Sequence, residues 1–530
     1  MTKSAIADVS TAAGSGRDVD APGVVPALTI VSHPLAHRAG ERFLLDAVAP
    51  GREVSLSRNA PDFTRPGRAL GAPLGDPFVS RRPIRFVAGP QGRVRLVIDP
   101  GGTPVVAGMP VDGSAELTPA QLAAGVPLEL AERVVLLLHL FDPEAGDTAD
   151  PLGMVGDSAG IRRVRVAIER VVDLAVPVLI RGETGTGKEL VARAIHDRSP
   201  RRGGPFVSVN LGALPRELAA AELFGAVKGA YTGATRDREG LFRAAHGGTL
   251  FLDEVGEAPP EVQVLLLRAL ETGEVTPVGA EKPVATQVRL VAATDANLEE
   301  QIRNGRFKAP LLHRLAGYEV RLPPLRERRE DIGVLFVHFA REELAAIGEA
   351  HKLAPEDPYA RPWLPAPVAA QLARYAWPGN IRQLRNVTRQ LVIGSRGLAQ
   401  LRLDPRVAEE LAGPDAVVSD APPSATPATA ARRKPSEITQ DELLEALRAC
   451  AWDLKAAADR LRIPRPSIYD LIDKSPHIRT AGDLDADEIA RCFRDCAGDL
   501  DAMAARLQVS RRALQRRVKE LGLPGRPMAD

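Results

Sequence analysis

The segment that most restricts what this chain can fold into runs Val178-Leu-Ile-Arg-Gly182-Glu-Thr-Gly-Thr-Gly187-Lys188-Glu189. A short apolar run suited to a buried strand ends in closely spaced glycines, and helix-favouring residues follow directly. A strand, a glycine turn and a helix in that order belong to a mostly parallel sheet flanked by helices. Glycines let successive backbone N–H groups turn toward one point, and the start of the helix adds positive potential there. Gly182, Glu183, Thr184, Gly185, Thr186, Gly187, Lys188 and Glu189 are therefore candidate nucleotide-binding residues, with Lys188 reaching the β- and γ-phosphates. Glu189 stands where the generic phosphate loop has a Ser or Thr hydroxyl for Mg²⁺.

A second motif supplies what the first lacks. Gly247-Gly-Thr-Leu-Phe-Leu-Asp253-Glu254 is an apolar strand ending in two carboxylates. Ligands of open α/β sheets bind at the C-terminal ends of strands. Asp253 suits Mg²⁺ held through water, and Glu254 suits polarising the attacking water. The two motifs together imply a site for ATP and Mg²⁺.

The remainder of the chain sorts into segments. Its 530 residues exceed a single hydrophobic core, and 45% hydrophobic with 26% charged residues fits globular domains. Residues 1–25 read as a disordered lead-in. Residues 26–141 carry short strands (Leu28–Ser32, Arg42–Ala47, Arg52–Ser57, Pro83–Val87, Val94–Ile98) and predict an all-β sandwich. Residues 142–152 read as a linker. Residues 153–325 alternate helices with strands (Ile161–Val172, Pro177–Ile180, Lys188–Arg198, Phe206–Val209, Thr249–Leu252, Val288–Ala293) and predict an α/β domain. Residues 326–412 read as a wholly helical lid, 413–437 as a Pro/Ala-rich flexible linker, and the rest as short helices. The tail repeats itself, Cys450-Ala-Trp-Asp-Leu454 returning as Cys496-Ala-Gly-Asp-Leu500, which divides it into a degenerate unit at 438–482 and a second at 483–525.

Charge and cysteines set limits. A net charge of +1 leaves DNA contact to a local basic patch. Three cysteines, Cys450, Cys492 and Cys496, argue against a disulfide framework and read as small buried hydrophobes. Neither a signal core nor an apolar run long enough to span a bilayer is evident, so a cytoplasmic location without membrane contact is expected. In the second tail unit, Ala502–Leu507, a short turn and then Ser510-Arg-Arg-Ala-Leu-Gln-Arg-Arg-Val-Lys519 give a helix, a turn and a basic helix. Ser510 would cap that helix, and Arg511, Arg512, Gln515, Arg516 and Arg517 would face double-stranded DNA. The first unit places Asp470 and Asp473 on the equivalent helix, which would repel phosphates; it is expected to pack or dimerise instead.

On these residues the central region resembles the AAA+ domain of sigma-54-dependent activators, the bacterial enhancer-binding proteins. The resemblance extends through Phe206-Val-Ser-Val-Asn210, Glu222-Leu-Phe-Gly225, Gly229-Ala-Tyr-Thr-Gly-Ala234, Leu322-Pro-Pro-Leu-Arg-Glu-Arg328 and Trp377-Pro-Gly-Asn-Ile-Arg382. It implies that Gly229, Ala230, Tyr231, Thr232, Gly233 and Ala234 form a mobile loop touching sigma-54, with Tyr231 where the family usually has Phe. It implies that Asn210 holds the catalytic glutamate and that Thr294 lies on the sensor strand, with Asp295 in place of the usual Asn. Arg314 matches an arginine finger given to the neighbouring subunit, and Arg382 a lid arginine sensing nucleotide in cis. Lys308 replaces a second interface arginine and Pro310 a nearby acid. The resemblance further implies a ring, most simply a hexamer, that remodels the closed sigma-54 RNA polymerase complex on enhancer DNA. The tail resembles a Fis-type helix-turn-helix. Residues 28–140 resemble a forkhead-associated domain, which would make Arg58 and Ser80, with Arg81 beside them, ligands of a phosphothreonine protein acted on by a Ser/Thr kinase. That family has a His where Pro83 stands, and an Asn ahead of Gly102-Thr103 that is missing here. The alternatives are a DNA-binding scaffold with weak or inactive ATPase, given Lys308 and Asp295, and another AAA+ remodeller, which would lack the 229–234 motif.

Overall fold

The computed structural model describes residues 23–411 except 46–47, 49–51, 67–69, 144, 146–149, 231–234 and 356, and in the tail 439–450, 484–496, 500–507 and isolated positions. The chain divides into two units, 1–418 and 419–530.

The first unit begins with ten strands: β1 (Val25–Ser32), β2 (Arg42–Leu44), β3 (Glu53–Leu56), β4 (Ile84–Ala88), β5 (Val94–Ile98), β6 (Val105–Ala107), β7 (Met109–Pro110), β8 (Ser114–Leu117), β9 (Val126–Leu130) and β10 (Val134–Phe141), with the short helix α1 (Pro119–Ala124) before β9. They form two antiparallel sheets ordered β2-β1-β10-β9-β6-β7 and β3-β4-β5-β8. Leu28, Ile30, Leu136 and Leu138 meet Leu56, Phe86 and Leu96 in the core between them. The strands named from sequence are all present, and β1 starts at Val25, inside the segment read as a lead-in.

The apolar run of β10 is explained by cover on both faces. Val135 and Leu137, with Val31 of β1, turn away from the sandwich core and pack on Ala366, Ala369, Ala370 and Ala373. A sheet buried on both faces loses the apolar/polar alternation of a half-exposed strand.

The α/β domain holds a parallel sheet ordered β12-β13-β16-β11-β17, built from β11 (Val178–Arg181), β12 (Phe206–Asn210), β13 (Thr249–Asp253), β16 (Arg289–Thr294) and β17 (Tyr318–Arg321), with a small β14 (Glu274–Val275) and β15 (Val284–Ala285) pair outside it. Alternate strand residues serve two cores. Val178, Ile180, Phe251 and Val291 face α2 (Ala159–Val171) and α3 (Lys188–Arg198). Leu179, Leu250, Leu252 and Leu290 face α4 (Arg216–Phe224), α6 (Pro260–Thr272) and α8 (Ala309–Leu315), while α5 (Leu241–Ala244) and α7 (Leu298–Arg303) complete that side. At the described ends of the segment read as a linker, Arg162 donates to the Asp142 carbonyl and Arg165 to that of Pro151.

The lid comprises α9 (Ile332–Ala346), α10 (Ala366–Arg374), α11 (Asn380–Gly394) and α12 (Pro405–Leu411) around the fully buried Trp377. It is not wholly helical as expected: the described residues 354–355 and 357–365 lack α-helix, and residues among them meet the β-sandwich. There Arg133 donates to the carbonyls of Pro358 and Ala360, both at 2.8 Å. The interface is closed enough that a Cβ on Gly333 would lie 2.2 Å from the Val31 carbonyl. Glycine within a helix ordinarily costs about 1 kcal/mol relative to alanine. Here the sign is expected to reverse: Gly333→Ala should destabilise the chain by about 1–3 kcal/mol through overpacking. A lower melting temperature and faster proteolysis between the sandwich and the lid are the measurable results.

In the second unit α13 (Gln440–Ala449) is opened by a capping box between Thr439 and Glu442, and α14 (Ala486–Asp495) and α15 (Leu500–Leu507) follow. Two small cores repeat at constant spacing: Leu443, Ala446, Ala457 and Ile468 in one, Ile489, Cys492, Met503 and Leu514 in the other. This agrees with the repeat read from sequence. Cys492 is buried, Cys450 and Cys496 are half-buried, and all three are free thiols. Ser510, Arg511, Arg512, Gln515 and Arg516 lie outside the described residues, as does the linker 413–437; Arg517 is half-buried.

Candidate active site

Strand β11 delivers the chain into Gly182–Gly187, and α3 begins at Lys188. Gly187 caps that helix with φ 102°, and Gly185 has φ +80°, both in the region that favours glycine. At Gly185 the need is doubled, because a Cβ would lie 2.4 Å from the Gly379 carbonyl at the start of the lid helix α11. The loop and the lid thus meet backbone to backbone, and the Arg382 amide donates to the Gly185 carbonyl. Thr186 donates its hydroxyl to the Glu183 carbonyl at 2.7 Å.

Lys188 is buried and donates to the Gly182 carbonyl at 3.0 Å; its ammonium lies 4.0 Å from Glu254. Strand β13 ends at Asp253, and Glu254 takes φ 55°, ψ 47°, a left-handed conformation that costs a non-glycine residue about 1–3 kcal/mol. The turn aims its carboxylate at Lys188 and Asp295. Burial pushes Glu254 up to about 7, Lys188 opposes the rise, and the neighbouring Asp295 and Asp253 add to it. Asp295 is itself held low: burial pushes it up, but hydrogen bonds from Thr184 and Glu254 outweigh that. The Thr184 hydroxyl donates to Asp295 at 2.6 Å. Asp295 thus sits against both the phosphate loop and the strand-end glutamate.

A base acts when deprotonated. If Glu254 is that base, ATP turnover is expected to rise about tenfold from pH 6 to pH 8, the change in deprotonated fraction around a midpoint near 7. Asp295→Asn should move the rise to lower pH; a pH–rate profile for both proteins tests this.

Asn210, at the end of β12, faces Asp253 rather than the glutamate. Its amide donates to Asp253 Oδ2 at 3.4 Å, while its own oxygen accepts from the Ala213 amide. The side chain of an Asn that caps a turn is already committed, and Glu254 turns the other way. Thr294 is buried, its carbonyl accepting from the Gly182 amide and its hydroxyl from that of Ala296. Glu189 is exposed in the first turn of α3. Arg314 is 58% exposed near the end of α8, 3.7 Å from Glu271 and outside the phosphate-loop cluster of its own chain.

The clasp that ties the loop to the lid was not singled out from sequence. Glu183 takes both guanidinium nitrogens of Arg326, at 2.8 and 2.5 Å, and those bonds hold its carboxyl below its usual range. Asn380, fully buried at φ 52°, donates to Glu183 and to the Thr184 carbonyl and accepts from the Leu325 amide. The signal was present in Leu322–Arg328 and Trp377–Arg382, two Pro- and Gly-bearing segments too irregular for helix interiors, but nothing in either names Glu183 as the partner.

The other predicted residues fall elsewhere. Gly229 and Ala230 sit above an anchored stalk: Ala226 bridges Arg238 and Val278, and Lys228 donates its amide to Asp237. Tyr231, Thr232, Gly233 and Ala234 lie outside the described residues. In the β-sandwich, Arg58 donates to the carbonyls of Val79 and Pro77, the Ser80 hydroxyl accepts from the Arg82 amide, and Arg81 is exposed.

Among the described residues no group of three or more His, Cys, Asp or Glu side chains is arranged to hold a metal ion, and no helix is long and apolar enough to cross a membrane. Residues 154–321 match the Sigma-54 interaction domain family, and residues 326–409 the AAA+ ATPase lid domain. The chain is 46% identical over 248 residues to the DNA-binding transcriptional regulator NtrC of Azospirillum brasilense, 47% of this chain and 49% of that protein. It is 44% identical over 262 residues to the nitric oxide reductase transcription regulator NorR1 of Cupriavidus necator, 49% of each. A solved structure of NtrX from Brucella abortus in complex with ADP covers 70% of each chain at 30% identity, with a TM-score of 0.43. The chain spans about half the length of the curated relatives it matches. The glycine phosphate loop, the strand-end acid pair and the lid clasped to that loop all lie within the residues that match the Sigma-54 interaction domain and the AAA+ ATPase lid domain.

Proposed function

We propose that the chain is an ATP-hydrolysing activator of sigma-54 RNA polymerase that acts as a ring, most simply a hexamer, on enhancer DNA in the cytoplasm. The observation that carries this is the placement of Glu254, turned out of β13 toward Lys188 of the phosphate loop inside a Sigma-54 interaction domain. Lys188 and the loop amides of 182–188 would take the phosphates of ATP, and Glu254 would accept the proton of the attacking water.

Mg²⁺ fits the donor set modestly. Each Asp253 oxygen accepts one hydrogen bond and keeps further lone pairs, so Asp253 would hold the ion through water, with the phosphates supplying the other ligands. The ion would neutralise phosphate charge. Arg314 from a neighbouring subunit would add positive charge where the transition state is most negative.

The 229–234 loop would carry the output. Its described feet are pinned, Ala226 to Arg238 and Val278 and Lys228 to Asp237, and loop movement with nucleotide state would be the output. Deletion of Tyr231–Gly233 is expected to leave ATP turnover largely intact, because it removes none of the residues proposed to bind or hydrolyse ATP, and to abolish sigma-54 binding. A pull-down unaffected by the deletion would remove the loop from the mechanism. The tail, by the helix-turn-helix reading of 483–525, would supply the DNA contact through Ser510, Arg511, Arg512, Gln515, Arg516 and Arg517. The β-sandwich, by its forkhead-associated resemblance, would sense a phosphothreonine protein at Arg58, Ser80 and Arg81.

A second reading, a DNA-bound scaffold with attenuated ATPase, is favoured by one feature, the extra carboxylate of Asp295 beside Glu254. Phosphate release by the full-length protein with ATP and Mg²⁺ decides between them. Turnover no higher than that of Glu254→Gln selects the scaffold.

A further inference from the structure

Arg133 and Asp76 are both buried, joined by two hydrogen bonds from Arg133 Nε at 2.9 and 3.1 Å. Arg133 donates from Nη1 to the lid carbonyl of Ala360 and from Nη2 to that of Pro358, and its guanidinium lies 4.4 Å over the Phe78 ring. Phe78 in turn meets Tyr359 of the lid loop edge-on, at 6.1 Å between ring centres. The sandwich therefore grips the lid with Arg133, and Asp76 and Phe78 hold Arg133 in place.

Asp76 and Phe78 belong to the loop that ends at Ser80. The posture of that loop is fixed from the other side by Arg58, which donates to the Pro77 and Val79 carbonyls and whose amide donates to that of Ser80. Asp76 closes the turn by accepting from the Phe78 amide. The residues read as phosphate ligands are thus the residues that brace the lid grip.

We propose that loop 76–80 is shared between two uses, so that a phosphothreonine ligand at Arg58 and Ser80 and the docked lid compete for it. The proposal rests on the phosphothreonine reading of that site. A dianion recruits guanidinium donors strongly. Drawing Arg58 toward phosphate takes its donors from Pro77 and Val79, frees the loop, and leaves Arg133 without its seat. The lid reaches the phosphate loop through Asn380 and the Gly379–Gly185 contact, so the release acts on the ATP site. Coupling of this kind is reciprocal: weakening the lid grip must strengthen ligand binding.

The test uses the full-length chain and a degenerate pool of phosphothreonine nonapeptides, with the unphosphorylated pool as control. Hydrogen exchange at residues 357–361 and pool affinity are measured for the wild type, Arg58→Ala, Arg133→Ala and the paired Asp76→Asn/Arg133→Met. The pair removes both charges and so avoids an orphaned buried aspartate. The phosphorylated pool is expected to speed exchange at 357–361 in the wild type. Arg58→Ala is expected to speed it without peptide, and the paired variant to bind the pool at least about fivefold more tightly. Binding without any change in exchange, or with equal affinity in the paired variant, would overturn the competition while leaving the phosphothreonine reading intact. A pool bound by none of the proteins overturns the reading and the proposal with it.

Discussion

Arg314→Ala is expected to lower ATP turnover by about 10³-fold or more, the usual cost of removing a finger from phosphoryl transfer, while ATP binding stays close to that of the wild type. Arg314 is exposed near the end of α8, and the ion partner it has in its own chain is Glu271, not a residue of the phosphate loop. A cation so placed serves catalysis only if a second subunit brings its nucleotide up to it. Mixing makes this decisive. An Arg314→Ala subunit still has Glu254, and a Glu254→Gln subunit still has Arg314, so a ring containing both rebuilds some complete sites. Two inactive preparations are expected to regain measurable turnover when combined. If mixtures stay as inactive as their components, the finger in trans is wrong.

Glu254→Gln is expected to cost about 10²–10⁴-fold in turnover, the range associated with a lost general base, with ATP affinity preserved or raised. The amide keeps the shape of the side chain and the left-handed turn, so the loop and the lid clasp survive. Removing a charge close to the phosphates relieves repulsion in the bound state. Single-turnover measurements with tight nucleotide binding and no phosphate release are the expected signature. A variant that retains most of its turnover would move the base to another residue, with Asp295 the nearest carboxylate.

The central strands of the ATPase domain's sheet were legible because β11, β13 and β16 are buried on both faces and end in residues with a job. Leu250–Leu252 and Leu290–Ala293 are uninterrupted apolar runs, and the glycines of 182–187 mark the turn that follows β11. Edge strand β17 escaped notice because Tyr318–Arg321 alternates apolar and charged residues and pairs on one side only. The docking of the β-sandwich on the lid was not legible. Its apolar part is alanine from α10 meeting valine and leucine from β1 and β10, residues that any core would use. Its polar part is Arg133 donating to backbone carbonyls, which carry no sequence. The acids of the site could be named, yet the pairing of Glu254 with Asp295 rather than Asn210 depends on a backbone turn at Glu254 that residue identities do not announce. Glu183 illustrates the same limit: within a glycine loop it reads as one more nucleotide-binding candidate, and only the fold brings Arg326 and Asn380 to it.

Where Gly185 runs beneath the Gly379 carbonyl, two main chains touch with no side chain as a cushion. A mechanical joint without padding has no lost motion: whatever shifts one surface shifts the other by the same amount. On the proposed nucleotide reading, a shift where phosphate is held is therefore expected to reach the helical cap directly, and a load on the cap to be felt at the phosphates.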